Sequence, residues 1–207
     1  MSRLNGAQLI IGFLERQGIR IVSGIPGGAN LPLYDALASS PTIRHVLARH
    51  EQGAGFIAQG MARASGQIGV CFATSGPGAT NILTALADAF LDSVPLVCIT
   101  GQVARSLLGT DAFQEVDTYG LSMPITKHNY LVRSAAELLT ILPKAFHLAG
   151  SGRPGPVLID VPKDVQTEVV EFGAWPELVS TADHQPGCPE SIRTAATMIN
   201  EAERPIL

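Results

Sequence analysis

Arg49-His50-Glu51-Gln52-Gly53-Ala54 is the stretch that decides the fold. The segment before it, residues 43–48, alternates apolar and polar residues and predicts a β-strand. The run that follows predicts a helix from Glu51 to about Ser65, ended by Gly66. A carboxylate in the first turn of a helix is stabilised by unpaired backbone N–H groups and by the helix dipole. A glutamate in a first turn is usually a stabilising surface residue. The neighbouring loops decide whether Glu51 has a catalytic role instead.

The composition narrows the class of protein. A chain of 207 residues can form one well-packed core, or one domain and the beginning of another. Hydrophobic residues make up 46% and charged residues 15%, which argues against disorder. The formal net charge of −4 provides no basic surface for nucleic acid or anionic lipid. We therefore expect a small-molecule ligand, and no nucleic-acid or membrane partner.

The cysteines and the N-terminus predict a cytoplasmic protein. Cys71, Cys98 and Cys188 are odd in number and scattered, as expected of free thiols in a reducing compartment. No Cys/His spacing resembles a zinc site, so no metal ligand is predicted. The chain does not begin with a basic head and an apolar core, and no apolar run has the length of a membrane span.

Predicted strands and helices alternate along most of the chain. One helix is expected after each of the capping residues Asn5 and Asn30, and a third starts at Glu51. A fourth helix follows residues 74–81 and ends at about Leu91. A fifth is expected over residues 135–149, with Pro143 as a kink or break. Strands are expected at residues 19–22, 43–48, 68–73, 95–100, 129–132 and 156–161. This order predicts a three-layer α/β/α fold with a mostly parallel central sheet. Ligands bind such folds at the carboxyl ends of the strands, where the Gly-rich loops and Glu51 all fall.

Two segments lack this alternation. Residues 101–125 lose their periodicity, and a long irregular stretch in a compact domain is more often functional than idle. After Pro162 the sequence becomes polar and rich in turns, which predicts a linker. A helix over residues 191–202 and an apolar strand from Pro205 follow. We therefore predict one domain over residues 1–165, a linker over 166–188, and the truncated start of another domain over 189–207, as in a piece of a longer protein.

The Gly76-Pro77-Gly78 turn has the form of a phosphate cradle, because exposed N–H groups before a helix bind anions. No Lys-Ser/Thr pair follows it, and Asn81 occupies the last glycine position of a dinucleotide fingerprint. Ser75 lacks the preceding glycine that a nucleophile elbow requires. On this evidence alone the turn is structural, with a weak ligand-binding signal.

Several motifs occur together in the order typical of one enzyme family. They are Gly24-Ile25-Pro26-Gly27-Gly28-Ala29, Arg49-His50-Glu51-Gln52-Gly53-Ala54, Thr74-Ser75-Gly76-Pro77-Gly78-Ala79-Thr80-Asn81, Asp92-Ser93-Val94-Pro95, Gly109-Thr110-Asp111-Ala112-Phe113-Gln114-Glu115, Thr126-Lys127-His128 and Ser151-Gly152-Arg153-Pro154-Gly155-Pro156. As a set they closely resemble the catalytic (large) subunits of acetohydroxyacid synthases, also called acetolactate synthases, most of all the bacterial isozyme I type. The resemblance implies the N-terminal pyrimidine-binding domain of a thiamin diphosphate enzyme, followed by the beginning of its FAD-associated middle domain.

The resemblance implies a catalytic role for Glu51. In this family the corresponding glutamate hydrogen-bonds N1′ of the aminopyrimidine ring of the cofactor, and so promotes removal of the C2 proton of the thiazolium. The implied reaction decarboxylates pyruvate and joins the two-carbon unit to a second pyruvate or to 2-oxobutyrate, in branched-chain amino-acid biosynthesis. The cofactor carries the difficult chemistry, while the protein fixes its tautomer and orientation.

Further residues receive roles from the same resemblance. Gln114 lies near cofactor and substrate and joins Glu51 as a predicted catalytic residue. The implied cofactor-binding residues are Gly27, Gly28, Glu51, Thr74, Pro77, Gly78, Asn81, Thr84 and Arg153, of which Thr84 and Arg153 contact FAD. The implied substrate channel is formed by Ala29, Pro95, Phe113, Lys127 and Lys163. For Lys127 and Lys163, a solvated surface lysine remains an equal alternative.

The implied cofactors are thiamin diphosphate, FAD and Mg²⁺. In the family a C-terminal domain with a Gly-Asp-Gly…Asn motif holds the diphosphate and Mg²⁺, and this sequence has no such motif. The implied partners are a second catalytic subunit in a homodimer, that C-terminal diphosphate-binding domain, and a small regulatory subunit. Glyoxylate carboligase resembles these enzymes but lacks the glutamate, so Glu51 argues against it. The FAD-independent acetolactate synthases lack the Pro-Gly-Gly-Ala and Phe-Gln-Glu sequences that occur here, which favours the FAD-containing branch. A pyruvate oxidase-like enzyme, or a non-catalytic cofactor-binding and dimerisation module, remains an alternative.

Overall fold

The computed structural model describes residues 1–179 and 186–205. The strands are β1 (Ser2–Asn5), β2 (Ile21–Gly24), β3 (Arg44–Leu47), β4 (Gly69–Ala73), β5 (Leu96–Gln102), β6 (His128–Leu131), β7 (Pro156–Pro162) and β8 (Val169–Phe172). The α-helices are α1 (Gly6–Arg16), α2 (Leu31–Ala38), α3 (Glu51–Ser65), α4 (Pro77–Leu91), α5 (Thr118–Ser122), α6 (Leu138–Gly150), α7 (Lys163–Thr167) and α8 (Pro189–Glu201). Short 3₁₀ helices form at Arg105–Leu107, Met123–Ile125 and Ala135–Glu137.

A six-stranded sheet in the order β3-β2-β4-β5-β7-β6 forms the centre of the fold, and all its neighbouring strands are parallel. Strands β4, β5 and β7 are buried along their whole length, as expected where helices cover both faces. One face packs against residues of α1, α2 and α6. The other face packs against α3 and α4. The predicted three-layer α/β/α fold is confirmed.

The helix that starts at Glu51 has the predicted limits. It begins at Glu51 and ends at Ser65, and Gly66 adopts a left-handed conformation with φ 71°. Helix α1 also begins as predicted, since Asn5 and Gln8 form a reciprocal capping box. Pro143 lies inside α6 and does not break it.

The residues after Pro162, which the sequence predicts to be a linker, contain regular structure in the first part of that stretch. Helix α7 follows β7 directly, and β8 pairs antiparallel with β1 in a separate two-stranded sheet. Further on, Val179 exchanges hydrogen bonds with the side chain of Gln17, with Nε2 of Gln17 donating to the carbonyl at 2.7 Å. The chain thus stays packed on α1 to Val179. How it divides into domains remains a prediction.

The irregular region over residues 101–125 contains more structure than expected. Strand β5 continues to Gln102, and two 3₁₀ helices and α5 follow. Helix α8 is close to the predicted helix over residues 191–202, and all its residues are exposed. The strand predicted from Pro205 depends on Ile206 and Leu207, which lie outside the described residues. Within residues 1–179 and 186–205, no helix combines the length and apolar character that crossing a membrane requires.

Candidate functional site

The loops that carry the predicted site meet at one edge of the sheet. Gly24 at the end of β2 is in register with Leu47 of β3 and Phe72 of β4, so these three strands end together. Ala73 is in register with Thr100 of β5. The loops after β2, β3, β4 and β5 therefore converge at the carboxyl edge, where parallel sheets bind ligands.

Glu51 is half-buried at the first position of α3. The preceding residue, His50, is the N-cap, and its Nδ1 accepts a hydrogen bond of 3.1 Å from the backbone N–H of Gln52. The Glu51 carboxylate turns toward α4, where its Oε2 accepts a hydrogen bond of 2.9 Å from Nδ2 of Asn81. The N-terminal parts of two helices thus meet at one carboxylate, an arrangement that the capping of a single helix does not require.

The Gly76-Pro77-Gly78 turn packs closely around Thr74. Gly76 has φ 56° and ψ −116°, a combination that is essentially restricted to glycine. A Cβ atom on Gly78 would lie 2.7 Å from Cγ2 of Thr74 and 3.5 Å from Oε1 of Glu51. A Cβ atom on Gly27 would lie 2.6 Å from Cβ of Thr74. The lack of side chains at both glycines keeps this wall of the site close and flat.

The Gly27-Gly28-Ala29 loop is held from two sides. The Ala29 N–H donates to Oγ1 of Thr74 at 3.3 Å, and its carbonyl accepts a hydrogen bond of 2.7 Å from Nε2 of Gln166. Gly28 is exposed, and a Cβ atom there would meet no atom within 4 Å. The structure thus brings Asn81 and Gly78 to Glu51, and Thr74 connects Gly78 to Gly27 and Ala29. Pro77 lies in the same turn as Gly78. Their roles remain predictions.

Asn30 has a different function from the predicted helix cap. It occupies the N-cap position of α2, but its side chain makes no capping hydrogen bond. Its Oδ1 accepts from the backbone N–H of Gly27 at 2.7 Å, and its Nδ2 donates to the carbonyl of Ile25 at 3.4 Å. The side chain therefore closes the loop around Gly27.

Gln114 lies against the same turn. A Cβ atom on Gly76 would lie 2.8 Å from Cα of Gln114, so the two backbones are in close contact. Gln114 itself has φ 57°, which a residue with a side chain seldom adopts. Its neighbour Phe113 is 87% exposed. Gln114 is thus brought to the edge of the Glu51 site, with Phe113 projecting into solvent.

Thr100, Gln102 and Asp160 form a buried polar cluster that the sequence analysis missed. Oδ1 of Asp160 accepts from Oγ1 of Thr100 at 2.7 Å, and its Oδ2 accepts from Nε2 of Gln102 at 3.0 Å. Burial raises the pKa of Asp160 to about 7, although both hydrogen bonds favour the ionised form. A carboxylate within the apolar sequence of β7 was the available signal, because a buried charge needs partners.

Gln166 is another residue that the sequence did not reveal. It is fully buried and donates to the carbonyls of Ala29 and Val161, while its Oε1 has no protein partner. The residue lies in the predicted linker over residues 166–188, where the sequence has no hydrophobic periodicity. It ties α7 to the loop that carries Ala29.

Three of the predicted residues lie at the opposite edge of the sheet. Pro95, Lys127 and the Arg153 loop precede β5, β6 and β7, at the amino ends of these strands. Nζ of Lys127 donates to the carbonyls of Leu148 and Ser151 at the end of α6, and burial lowers its pKa. The structure therefore does not bring these residues to Glu51 within one copy of the chain.

The remaining predicted residues lie on the surface or are engaged elsewhere. Arg153 donates from Nε to Oγ of Ser93 at 2.7 Å and from Nη2 to the carbonyl of Leu91 at 2.9 Å. Thr84 is exposed on α4. Lys163 is exposed at the start of α7, on the carboxyl edge, so the surface alternative stays open for it. Among the residues that the structure describes, no group of three or more His, Cys, Asp or Glu side chains could hold a metal ion.

Comparison with known proteins identifies the family of this fold and site. The chain is 64% identical over 206 residues to the acetolactate synthase isozyme 1 large subunit of Escherichia coli (strain K12), covering 100% of the chain and 37% of that protein. It is 54% identical over 210 residues to an acetolactate synthase of Mycobacterium bovis (100% and 34% covered). It is 51% identical over 205 residues to the isozyme 2 large subunit of the same Escherichia coli strain (99% and 37% covered). The chain thus spans roughly a third of the length of these curated relatives.

The sequence match falls on the elements that build the site. Residues 4–121 match the family described as thiamine pyrophosphate enzyme, N-terminal TPP binding domain. This range includes Glu51, Asn81, the glycine turn and Gln114. The chain belongs to the thiamine pyrophosphate enzyme family, as a member of its N-terminal TPP-binding domains.

Proposed function

We propose that this chain is the N-terminal, pyrimidine-binding part of an acetolactate synthase. The whole enzyme would decarboxylate pyruvate on thiamin diphosphate and join the two-carbon unit to a second pyruvate or to 2-oxobutyrate. Identity of 64% to the large subunit of isozyme 1 supports this choice among thiamin enzymes. The observation that carries the proposal is the Glu51 carboxylate, with one oxygen bound by Asn81 and the other facing Gly78.

The geometry fits a flat heteroaromatic ring beside Glu51. Oε2 is engaged by Asn81, so Oε1 is the oxygen available to a ligand. A Cβ atom at Gly78 would stand 3.5 Å from Oε1, and any longer side chain would cover it. Glycine at this position leaves room for an aminopyrimidine ring that offers a nitrogen to the carboxylate.

Bound thiamin diphosphate supplies an electron sink for the decarboxylation of a 2-oxo acid. The residues of this chain would bind and orient it. Glu51 would hold a proton at the ring nitrogen, and Asn81 would keep the carboxylate in the rotamer that reaches it. Thr74 and the two glycines that pack on it would form the wall against which the ring lies. A fixed donor or acceptor in a partly dry site acts more strongly than the same group in water.

The same proposal includes partners outside this chain. Mg²⁺ and the diphosphate would be held by a C-terminal diphosphate-binding domain, and a small regulatory subunit and a cytoplasmic location belong to the same expectation. FAD binding by Thr84 and Arg153 rests on the family resemblance, since Arg153 already donates to Ser93 and Leu91.

A second catalytic subunit is supported by exposed apolar side chains on two adjacent helices. Phe56 and Ile57 of α3 and Phe90 and Leu91 of α4 are all exposed, and Leu91 is 72% exposed. Isolated apolar residues on a surface are common, whereas a group of exposed apolar residues on neighbouring helices is typical of an interaction surface. A homodimer would cover it. Within one copy of the chain, the opposite edge of the sheet from Glu51 carries Pro95, Lys127 and Arg153. Their predicted roles in the channel and in FAD binding would therefore require the dimer.

Product analysis of the full-length protein tests the proposal. With pyruvate, thiamin diphosphate, Mg²⁺ and FAD, we expect each pair of pyruvates to give one acetolactate and one CO₂, without consumption of O₂. A pyruvate oxidase-like enzyme would instead consume O₂ and release no acetolactate, which would overturn the assignment. For the 207-residue chain alone, we expect no acetolactate and weak or undetectable cofactor binding, and tight Mg²⁺-dependent binding in a calorimeter would contradict this.

A further inference from the structure

The segment over residues 108–117, here called the Gln114 segment, has few contacts that hold it to the rest of the fold. Its own hydrogen bonds are local: Glu115 N–H donates to the carbonyl of Ala112 at 2.9 Å, and Gly109 N–H donates to Oε1 of Glu115 at 3.3 Å. Just before the segment, Arg105 pairs with Asp164 at 2.7 Å. That ion pair is exposed, and exposed pairs contribute little. The conformation of Gln114 therefore needs a firmer anchor.

Gln102 supplies a buried anchor. Its Nε2 donates both to the carbonyl of Val116 and to Oδ2 of Asp160, each at 3.0 Å, and its Oε1 accepts from the Val103 N–H at 2.8 Å. The side chain is fully buried at the end of β5, so these bonds are shielded from water. One amide thus links the last strand position to the far end of the Gln114 segment.

Asp160 determines which way that amide points. An ionised carboxylate only accepts hydrogen bonds, so it must face the NH₂ group of Gln102 and not its oxygen. Thr100 holds the other carboxylate oxygen at 2.7 Å. With Asp160 ionised, the same NH₂ group is therefore directed at the carbonyl of Val116.

Within residues 1–179 and 186–205, no cationic side chain compensates the charge of Asp160. Glu115 and Asp117 face it from the Gln114 segment, and Cys98 lies on the adjacent strand β5. Leu131 of β6 and Asp160 both line a cavity of about 290 Å³. The Thr100 and Gln102 donors are therefore what stabilises the carboxylate here.

Gln114 makes the anchor necessary because its conformation carries strain. Its φ of 57° is costly for a residue with a side chain, and its backbone is pressed against Gly76, where a Cβ atom would lie 2.7 Å from the Gln114 carbonyl oxygen. A segment that relaxed by rotating Gln114 would leave this contact. The bond from Gln102 to Val116, two residues away, opposes that movement from within the core.

We propose that Gln102 and Asp160 are a positioning pair: they hold the Gln114 segment against Gly76 and so fix Gln114 at the edge of the Glu51 site. The structural part of this proposal concerns this chain alone. Its catalytic consequence rests on the proposed function.

The structural part is tested by hydrogen–deuterium exchange of the chain, monitored on a peptide that spans the Gln114 segment. Gln102→Met keeps the length of the side chain and removes both donors, and we expect exchange in the segment to rise about tenfold or more. Thr100→Val is the matched control, because it removes a buried hydrogen bond to the same carboxylate without touching Val116. We expect its segment exchange to stay within about twofold of the unaltered chain. Equal exchange in the two variants would overturn the proposal.

A second variant covers the case in which Gln102→Met does not fold. Gln102→Glu keeps the shape but replaces the NH₂ group with a carboxyl that donates only when it is protonated. After correction for the intrinsic pH dependence of exchange, the segment should be loose at pH 8 and protected again at pH 5. A segment that is equally protected at both pH values would contradict an anchoring role for the Gln102 donor.

The catalytic part is tested in the full-length enzyme by comparing two rates. Gln102→Met should lower kcat/KM for pyruvate on the order of 10- to 100-fold, while C2 proton exchange of bound thiamin diphosphate, which depends on Glu51, changes by less than about threefold. Adding Gln102→Met to Gln114→Ala should cost little more than Gln114→Ala alone. Equal loss of both rates, or full additivity, would overturn the positioning role. Absence of acetolactate formation in the unaltered enzyme would refute the proposed function and leave the exchange result intact.

Discussion

Nδ2 of Asn81 donates a hydrogen bond of 2.9 Å to Oε2 of Glu51, and this bond joins the N-terminal parts of α3 and α4. Either helix could form without it, because α3 has its own cap at His50 and α4 begins at Pro77. What the bond does is fix one carboxylate oxygen and leave the other beside Gly78. A stabilising surface glutamate would gain nothing from this restriction, whereas a glutamate that must meet one ring nitrogen would.

The first prediction removes that bond. Asn81→Ala should lower the C2 exchange rate of thiamin diphosphate in the full-length enzyme about tenfold, because the loss of a hydrogen bond to a charged group frees the carboxylate to rotate. Thr80→Ala, at the exposed neighbouring position of α4, should leave the rate within about twofold. If both variants behave like the unaltered enzyme, Asn81 does not hold Glu51 for catalysis.

Two glycines of α3 provide a matched test of how closely it packs on α4. A Cβ atom on Gly55 would lie 2.4 Å from Cβ of Ala85, whereas a Cβ atom on Gly53 would meet no atom within 4 Å. Gly55→Ala should therefore lower the free energy of unfolding by about 1–3 kcal/mol through overpacking. Gly53→Ala should raise it by about 0.5–1 kcal/mol, since alanine loses less backbone entropy in a helix. Urea denaturation of both variants measures the difference, and equal effects would show that the two helices are not in close contact.

Asp160 should make stability fall as the pH rises. Burial raises its pKa in the folded protein to about 7, above the usual value of 3.8 for an aspartate. A group whose pKa is raised on folding contributes stability that is fully present below its unfolded pKa and is lost as the pH rises through the folded value. Between about pH 4 and pH 8, the free energy of unfolding should therefore fall by at least about 1.4 kcal/mol more in the unaltered chain than in Asp160→Asn, which is the equivalent of one pKa unit.

Urea titrations of the two chains across this range measure that difference, because the contributions of other titrating groups cancel. Thr100→Val is the control, since it keeps the carboxylate and should retain a pH dependence of the same sign. Parallel stability curves for the unaltered chain and Asp160→Asn would contradict a raised pKa at Asp160.

The exposed apolar residues of α3 and α4 should make the chain associate with itself. Phe56, Ile57, Phe90 and Leu91 would be covered in a dimer, so sedimentation should reveal association at millimolar concentration. Leu91→Lys should weaken it, whereas Ile192→Lys on the exposed helix α8 should have no effect. A strictly monomeric sedimentation profile at that concentration would count against the interface.

The sequence predicted the fold wherever local signals agree with tertiary packing. Helix α3 is limited by a capping residue and by Gly66, and strands β4, β5 and β7 are apolar throughout because helices cover both faces. Strands β1 and β8 were missed because neither has a pattern of its own. They form by pairing with each other, with Phe172 buried against Trp175 at a ring distance of 5.1 Å.

The candidate site was predictable where glycine spacing and family motifs mark it. Glu51, Asn81, Gly78 and Thr74 do lie together. Gln102 and Gln166 could not be found, because a glutamine that donates to a distant carbonyl has no sequence pattern. Such residues are recognised only from the contacts of the folded chain.

The most direct test of the proposed role of Glu51 is C2 hydrogen–deuterium exchange of thiamin diphosphate in the full-length enzyme, compared among the unaltered protein, Glu51→Gln and Glu51→Asp. Glu51→Gln keeps the size of the side chain but removes the acid that would hold a proton at the ring nitrogen. Glu51→Asp keeps the charge but withdraws it by one methylene. General acid–base contributions are about 10²–10⁴-fold, so both variants should lose exchange rate and kcat to that extent, while cofactor affinity changes much less.

A purely structural Glu51 predicts a different result in the same experiment. Aspartate is as favourable as glutamate in the first turn of a helix, and glutamine there would cost only a few tenths of a kcal/mol, roughly, in stability. Exchange that is lowered by about 10²-fold or more in both variants, with stability retained, is the result we expect. Near-normal exchange in both variants would contradict a catalytic Glu51.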